Sequence, residues 1–226
     1  MKKIFLFMAL FATVLFGDSR DVLVDEYLKK SAYYEAFEKI KQDITVEVSA
    51  DGIQKANEVF RPKNLKEIFV RVSTDSLSDD DLKQFITFYN SPLGIKYVKT
   101  VNESDDVFGK NMVKIDEDME HNRVSKDRLK LFDEFIVAID IDRVVKITSD
   151  LMVNVNSKQE ASSVSVKKDI SDYMKSMAPF IYQTQLIDFS DSEVKALVKQ
   201  YKSHVGKKEL EVVYEVMEEI SKQLIQ

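Results

Sequence analysis

Two histidines and a run of acidic residues are the side chains in this chain whose types could do chemistry. Glu117 and His121 lie four residues apart, so a helix would place both on one face, where they could share a divalent ion. No second histidine stands at a matching spacing, and acidic helix faces are common on protein surfaces, so the pattern favours a solvated face over a metal site. His204 stands at a helix junction, and we interpret it as a helix-end residue.

Other signatures of catalysis and cofactor binding are missing from the sequence. It contains no nucleophile elbow, no glycine-rich phosphate loop and no HExxH motif. It also contains no Cys, which excludes disulfides, thiolate metal ligands, a Cys nucleophile and a lipid anchor on an N-terminal Cys. We therefore predict that the protein is not an enzyme and that it has no catalytic residue, no cofactor and no metal ion.

Residues 1–17 have the layout of a secretory signal peptide. The basic start Met1-Lys2-Lys3 precedes an apolar run over Ile4–Phe16, and Gly17 then precedes a polar stretch. The apolar run has 13 residues, fewer than the roughly 20 that span a bilayer, so an uncleaved anchor or a buried core helix fits less well. The sequence predicts cleavage after Gly17, a periplasmic or secreted location, and no stable membrane span in the mature chain.

The charge balance argues against nucleic acid as a partner. Because Lys2 and Lys3 belong to the leader, the 33 basic residues of the chain fall to 31 against 39 acidic ones, a net charge of −8. An acidic protein is repelled by nucleic acid and by an anionic membrane surface. The charges are interspersed along the chain, as on ordinary solvated helix faces.

A stretch of twenty residues occurs twice, and it sets the predicted organisation. Residues 77–96 recur as residues 189–208, which is 112 positions later, with Ser, Asp, Lys, Tyr, Ser, Gly and Lys at matching places. Apolar residues follow helical spacing in both copies, and few Pro or Gly interrupt the chain. We predict an all-α protein of two tandem antiparallel helical units, over residues 18–122 and 123–226, each with a helix–break–helix motif.

Local signals define the two motif helices. Ser78 and Ser190 are predicted N-caps, and an acidic residue three positions later, Asp81 or Glu193, completes a capping box. Each helix is predicted to end near a Ser, close to Asn90-Ser91 in the first copy and to Lys202-Ser203 in the second. The next helix in the second copy carries a predicted apolar face of Val205, Leu210, Val213 and Val216.

The glycines and tyrosines of the motif have predicted structural roles. Gly94 and Gly206 fall early in the second helix, where no tight turn is needed, so we expect a neighbouring helix to approach each closely. Tyr89 and Tyr201 fall on apolar stripes and are predicted to be buried. Elsewhere, Ile44–Val48 alternates like a strand but has no partner strand and is assigned to a helix, and residues 154–166 are predicted to be a loop or frayed helix end.

The first copy resembles the bacterial domain-of-unknown-function family 2059, whose recognisable element is Phe-Tyr-x-Ser-Pro-x-Gly followed by a basic pair. Ile95 departs from the basic pair, and the second copy has Gln200 and His204 in place of Phe and Pro. The resemblance implies a small, exported, all-helical domain of unknown activity, and it supplies no catalytic residues. The residues that carry it are Phe88, Tyr89, Ser91, Pro92, Gly94 and Lys96 in the first copy, and Tyr201, Ser203, Gly206 and Lys208 in the second.

Two functions remain open from the sequence. The first is a non-enzymatic interaction or structural module of the bacterial cell envelope, which binds an unknown protein partner. The alternative is a carrier that holds an apolar ligand, such as a lipid tail, between helices. A carrier needs an enclosed apolar cavity, whereas an interaction module needs an exposed apolar patch or groove. The aromatic residues favour a core role, because Phe and Tyr must supply all large rings in a chain without Trp.

Overall fold

The computed structural model describes residues 19–45, 49–102, 124–155 and 164–225. Within these ranges the chain is all-α, as predicted, and no residue is in a β-strand. The helices are α1 (Ser19–Lys30), α2 (Tyr33–Ile44), α3 (Ala50–Val59), α4 (Pro62–Ser73), α5 (Asp79–Tyr89), α6 (Pro92–Asn102), α7 (Lys126–Ala138), α8 (Ile141–Val155), α9 (Val164–Gln185), α10 (Asp191–Lys202) and α11 (His204–Ile225).

The motif helices α5 and α10 begin with the predicted capping boxes. Ser78 Oγ accepts a hydrogen bond from the Asp81 backbone N–H at 3.1 Å, and the Asp81 carboxylate accepts one from the Ser78 N–H at 2.9 Å. Ser190 and Glu193 repeat both bonds at 3.3 and 2.7 Å. Each box satisfies two backbone donors that a helix start would otherwise leave unpaired, which fixes where α5 and α10 begin.

Both motif helices pack in the same local pattern. α1 packs against α4 and α5, and α7 packs against α9 and α10. α5 then contacts α6, and α10 contacts α11. The last helix, α11, is the common element, because it also packs against α3, α4, α5 and α8.

Buried side chains form two hydrophobic clusters. The first combines residues of α1 to α5 with Ile147 of α8 and Val212 of α11, so it draws on both predicted units. The second joins α7, the end of α9 and α10 around Phe135, which is fully buried. Phe88 and Leu210 are half-buried and pack against both clusters. The two clusters are therefore continuous through the motif helices.

Several predicted boundaries can be placed on the structure. Ser125 is the N-cap of α7, and its Oγ accepts from the Arg128 N–H at 3.2 Å. Ile44 ends α2, and residues 46–48 lie outside the described residues. The polar stretch predicted as a loop or frayed helix end overlaps the end of α8 at Val155 and the start of α9 at Val164. Residues 1–18, with the predicted leader, also lie outside the described residues.

Candidate functional site

A serine holds the turn between the two helices of each motif. Ser91 Oγ donates a hydrogen bond to the Phe88 carbonyl at 2.6 Å and accepts one from the Gly94 N–H at 3.1 Å. Ser203 Oγ repeats both bonds, donating to a carbonyl of α10 at 2.6 Å and accepting from the Gly206 N–H at 2.9 Å. Each serine thus joins the end of one helix to the start of the next, which explains the Ser-x-x-Gly spacing.

The glycine of each motif lies against the backbone of the helix that precedes it. A Cβ atom on Gly94 would be 2.7 Å from the Tyr89 Cα and closer still to the Phe88 carbonyl oxygen. A Cβ atom on Gly206 would be 2.9 Å from the Tyr201 Cα and would meet the backbone of α10 in the same way. Backbone cannot move aside as a flexible side chain can, so only glycine fits this corner. The predicted close approach is confirmed at both positions.

The remaining corner residues tolerate replacement. Pro92 opens α6, where its missing N–H leaves no intrahelical bond unmade. His204 opens α11 and confirms the prediction of a helix-end residue. Phe88 is half-buried, and its ring centroid lies 5.1 Å from that of Tyr89, whereas the second copy has Gln200 at the equivalent position. The geometry of the turn therefore depends on the serine and the glycine rather than on the Pro or the Phe.

The motif lysines cross between the two copies. Lys96 Nζ lies 2.9 Å from both carboxylate oxygens of Glu193 and 4.3 Å from the centroid of the Phe189 ring. Lys208 Nζ lies 2.9 Å from a carboxylate oxygen of Asp81. Each lysine therefore pairs with the capping-box acid of the other copy. Reciprocal contacts of this kind are what a two-fold arrangement of two similar units produces.

Both capping-box acids are held in their charged forms. The hydrogen bond from Lys96, helped by a backbone N–H at its own helix cap, lowers the pKa of Glu193 to about 2. Burial alone would raise the pKa of Asp81, but hydrogen bonds from Ser78 and Lys208 outweigh it and lower that pKa below its usual value. Both crossed pairs are thus ionic at neutral pH.

One arginine joins α1 to the start of α5, and another joins α7 to the start of α10. Arg20 of α1 donates to the Asp79 carboxylate and to the Leu77 carbonyl, each at 2.9 Å. Arg128 of α7 donates to the Asp191 carboxylate and to backbone carbonyls just ahead of α10. Our sequence interpretation missed both arginines. Their spacing could have identified them as equivalent residues of the two copies. Arg128 follows Arg20 by 108 residues, which is close to the 112 residues that separate the two motifs.

A buried carboxylate lies where α1, α5 and α11 meet. Glu209 of α11 is 1% exposed, and one of its oxygens, Oε1, accepts hydrogen bonds from the Tyr27 hydroxyl at 2.9 Å and the Tyr89 hydroxyl at 2.7 Å. Its other oxygen is buried and has no hydrogen-bond partner among the described residues. Tyr89 and Tyr201 are both 4% exposed, which confirms their predicted burial.

Glu209 was not predicted from the sequence, although a signal existed. It lies three and four residues before Val212 and Val213 and seven before Val216, on the buried face of α11. The predicted apolar face used Leu210 instead, which is only half-buried. A lone acid on an apolar stripe is the pattern that could have identified this site.

A metal site and a membrane span were also considered from the sequence. Glu117 and His121 lie outside the described residues, so the weighed metal pair has no structural description. Among the residues that are described, no group of three or more His, Asp or Glu side chains could hold a metal ion. No helix within these ranges is long and apolar enough to cross a bilayer.

Two surface clefts lie beside α3. The larger, of about 630 Å³, opens between α3, α4 and the end of α11 and is lined by charged side chains that include Lys55, Arg61, Glu67 and Glu219. The smaller, of about 510 Å³, lies along α3 near Ile53. The larger cleft has mainly polar walls, whereas the smaller also has Ala50 and Ile53 in its wall. Both are open to solvent, so neither is the enclosed apolar cavity that an acyl chain needs.

Comparisons with known proteins agree with the resemblance of the first motif. Residues 63–104 match the model of a bacterial family described as an uncharacterized protein conserved in bacteria, domain of unknown function 2059. The match begins in α4 and contains α5, the Ser-Pro turn and α6, and it does not extend to residues 189–208. No curated protein and no solved structure matches the chain.

Proposed function

We propose that this chain is an exported, non-enzymatic interaction or structural module of the bacterial cell envelope, built from two tandem units of the matched family. One observation carries the proposal: the family motif is used to hold helices together. Ser91, Gly94 and Lys96 each contact another part of the fold, and Tyr89 is buried. A motif whose polar atoms are engaged in this way has a role in architecture rather than in binding a substrate.

Repeated contacts support the duplication. Tyr27 of α1 lies 6.1 Å from Tyr89 between ring centroids, and Phe135 of α7 lies 5.9 Å from Tyr201. The turns after α1 and α7 each contain a residue with positive φ, 57° at Ala32 and 48° at Asp140. Together with the paired arginines and the crossed lysines, these matches favour two related units over a chance sequence similarity.

The carrier alternative has less support. A lipid tail needs an apolar and largely enclosed space. The two clefts beside α3 are open to solvent, and the large rings that could have lined a pocket, such as Phe85 and Phe37, are packed in the first cluster. Tyr173 differs from these rings, because it is 67% exposed.

Exposed apolar side chains are candidates for contact with a partner. Val137 is 73% exposed and Ile95 is 56% exposed, and Ile95 immediately precedes the motif lysine. Single exposed apolar residues are common on protein surfaces, so these positions are where a partner should be sought rather than proof of one.

In-cell photo-crosslinking in the native host tests the proposal. A photoreactive residue replaces Ile95, Val137 or Tyr173 in turn, and the exposed Lys63 provides a control position. We expect one apolar position to crosslink to a discrete envelope protein that the control position does not capture. When that envelope protein is purified in turn, this chain should co-purify with it. Capture of lipid alone would favour the carrier.

Cell fractionation and N-terminal sequencing test export separately. The mature chain should start at or near Asp18 and be found in the periplasm or the medium. A cytoplasmic chain that retains Met1 would overturn the localisation without changing the proposed architecture.

A further inference from the structure

Within the described part of the chain, the buried carboxyl group of Glu209 has no cationic side chain as a partner. The described residues include no Lys, Arg or His that forms an ion pair with it. Among the described residues, its hydrogen-bond partners are the hydroxyls of Tyr27 and Tyr89, which both reach Oε1, while Oε2 is buried and unpaired. A carboxylate in such surroundings loses its hydration without gaining a counter-ion, and this opposes ionisation.

The other groups that face Glu209 are also uncharged. Tyr33 of α2, Tyr97 of α6 and Tyr201 of α10 are close enough to interact with it electrostatically, and burial is the main cause that raises the pKa of each hydroxyl above its usual value. The ionic side chains on and around α11 pair elsewhere, line the open cleft or are exposed to solvent. The pairs are Arg71 with Glu219, Arg143 with Glu211 and Glu218, and Lys208 with Asp81; Lys55 and Glu58 line the cleft, and Lys207, Glu215 and Lys222 are exposed.

The architecture does not require an acid at this position. In the register of the repeat, Glu209 corresponds to Tyr97 of the first copy. The Tyr97 ring packs edge-on against Phe135 and Tyr201, with centroid distances of 6.2 and 6.1 Å. An uncharged residue fills the equivalent place, so the buried acid is a departure that the packing alone does not explain.

We propose that Glu209 is a pH-sensitive latch between α11 and the pair formed by α1 and α5. In mildly acidic solution the side chain is a neutral acid that keeps its bonds to Tyr27 and Tyr89 and holds the three helices together. Near and above neutral pH it becomes a buried charge without a counter-ion, and this junction loosens.

The direction of the pH effect follows from the two states of the chain. Burial raises the pKa of Glu209 to about 7, against the smaller lowering effect of the bonds from Tyr89 and Tyr27. In the unfolded chain the pKa returns to about 4.5. Between these values Glu209 binds more protons in the folded state than in the unfolded state. The stability that Glu209 contributes is therefore fully present below about pH 4.5 and is lost as the pH rises through about 7.

Thermal melting of the purified full chain between pH 5 and pH 8 tests the latch. We expect the Tm of the parent to fall by about 5–10 °C across this range because of Glu209. Gln has nearly the same shape as Glu but does not titrate, so the Tm of Glu209→Gln should change much less across this pH range. Glu193→Gln is the matched control: the pKa of Glu193 is about 2 in the folded chain and about 4.5 in the unfolded chain, so its charge changes little over this range. This variant should melt lower but keep nearly the slope of the parent.

Tyr89→Phe gives a second measurement that does not depend on whether Glu209→Gln folds. It removes a hydrogen bond that favours the carboxylate, so the pKa of Glu209 should rise further. The midpoint, which is the pH at which half of the fall in Tm has occurred, should therefore move to a higher value. A purely structural role for Tyr89 would lower Tm equally at every pH. A parent Tm that does not fall with pH, or an equal slope in the parent and in Glu209→Gln, would overturn the latch, as would an unmoved midpoint in Tyr89→Phe.

Discussion

The two motif turns have the same geometry but different side chains. The first reads Ser91-Pro92-Leu93-Gly94 and the second reads Ser203-His204-Val205-Gly206. In both, the serine hydroxyl bridges the two helices, and the glycine lies against the preceding backbone. The proline, which is the most recognisable residue of the first turn, is replaced in the second without a change in the turn.

The difference between the copies lies around the turns. α11 has 22 residues and extends into the first hydrophobic cluster. The first copy has Tyr97 where the second has Glu209, so at this position only the second places an acid in the core. The shared residues make the corner, and the unshared ones determine what each second helix contacts.

The largest expected effect comes from the two motif tyrosines. Tyr89→Ala should lower the free energy of unfolding by about 4 kcal/mol, and Tyr201→Ala by about 3 kcal/mol, because both remove a large buried ring. Tyr89→Ala should destabilise the fold more than Tyr201→Ala, since it also removes a hydrogen-bond donor to Glu209. Urea unfolding measures both. If Tyr89→Ala unfolds like the parent, the motif should be reinterpreted as a surface recognition site.

The glycines should have smaller effects that are equal in the two copies. Gly94→Ala and Gly206→Ala should each lower the free energy of unfolding by about 1–3 kcal/mol, because the added Cβ meets backbone that cannot yield. Gly52→Ala, in the first turn of α3, is the control and should be neutral or slightly stabilising. A large effect at only one of the two motif glycines would break the proposed equivalence.

Double-mutant cycles on the crossed pairs should give smaller values still. We expect a coupling free energy of about 0.5–1 kcal/mol for Lys96 and Glu193, since both side chains are about one-third exposed. Lys208 and Asp81 should couple more strongly, by about 1–2 kcal/mol, because the Asp81 side chain is only 8% exposed. Unfolding in low and high salt checks that the coupling is ionic, because an ionic coupling should weaken in high salt. Zero coupling in both pairs would refute the ionic contact between the copies.

The smallest effect should come from exchanging the residues that open α6 and α11. Pro92→His and His204→Pro should each change the free energy of unfolding by less than about 1 kcal/mol, because the first helical position needs no intrahelical N–H bond. Thermal melts of the two variants measure this. A loss comparable to that of the glycine variants would mean that the proline itself fixes the first turn.

Much of the local structure could be predicted from the sequence. Ser78 with Asp81 and Ser190 with Glu193 identified where α5 and α10 begin, because capping involves residues only three positions apart. The burial of Tyr89 and Tyr201 followed from helical spacing, and the glycines indicated a close approach. The sequence also identified the matched family from a short motif.

The partners of these residues could not be predicted in the same way. Lys96 was recognised as a motif residue, but its partner Glu193 lies 97 positions away, and no spacing rule connects them. Arg20 and Arg128 were overlooked for the same reason, since each reaches across to another helix. Contacts between distant segments depend on how whole helices pack, which residue periodicity does not specify.

The sequence by itself determined the helices, their caps and the two corners, because these depend on hydrogen bonds and steric contacts within a few residues. Only the tertiary structure decided that the lysines cross between the copies and that Glu209 lies buried against two tyrosines. The physical reason is that ionic pairing and desolvation depend on the surroundings in three dimensions. The same glutamate on the exposed face of α11 would be an ordinary solvated charge.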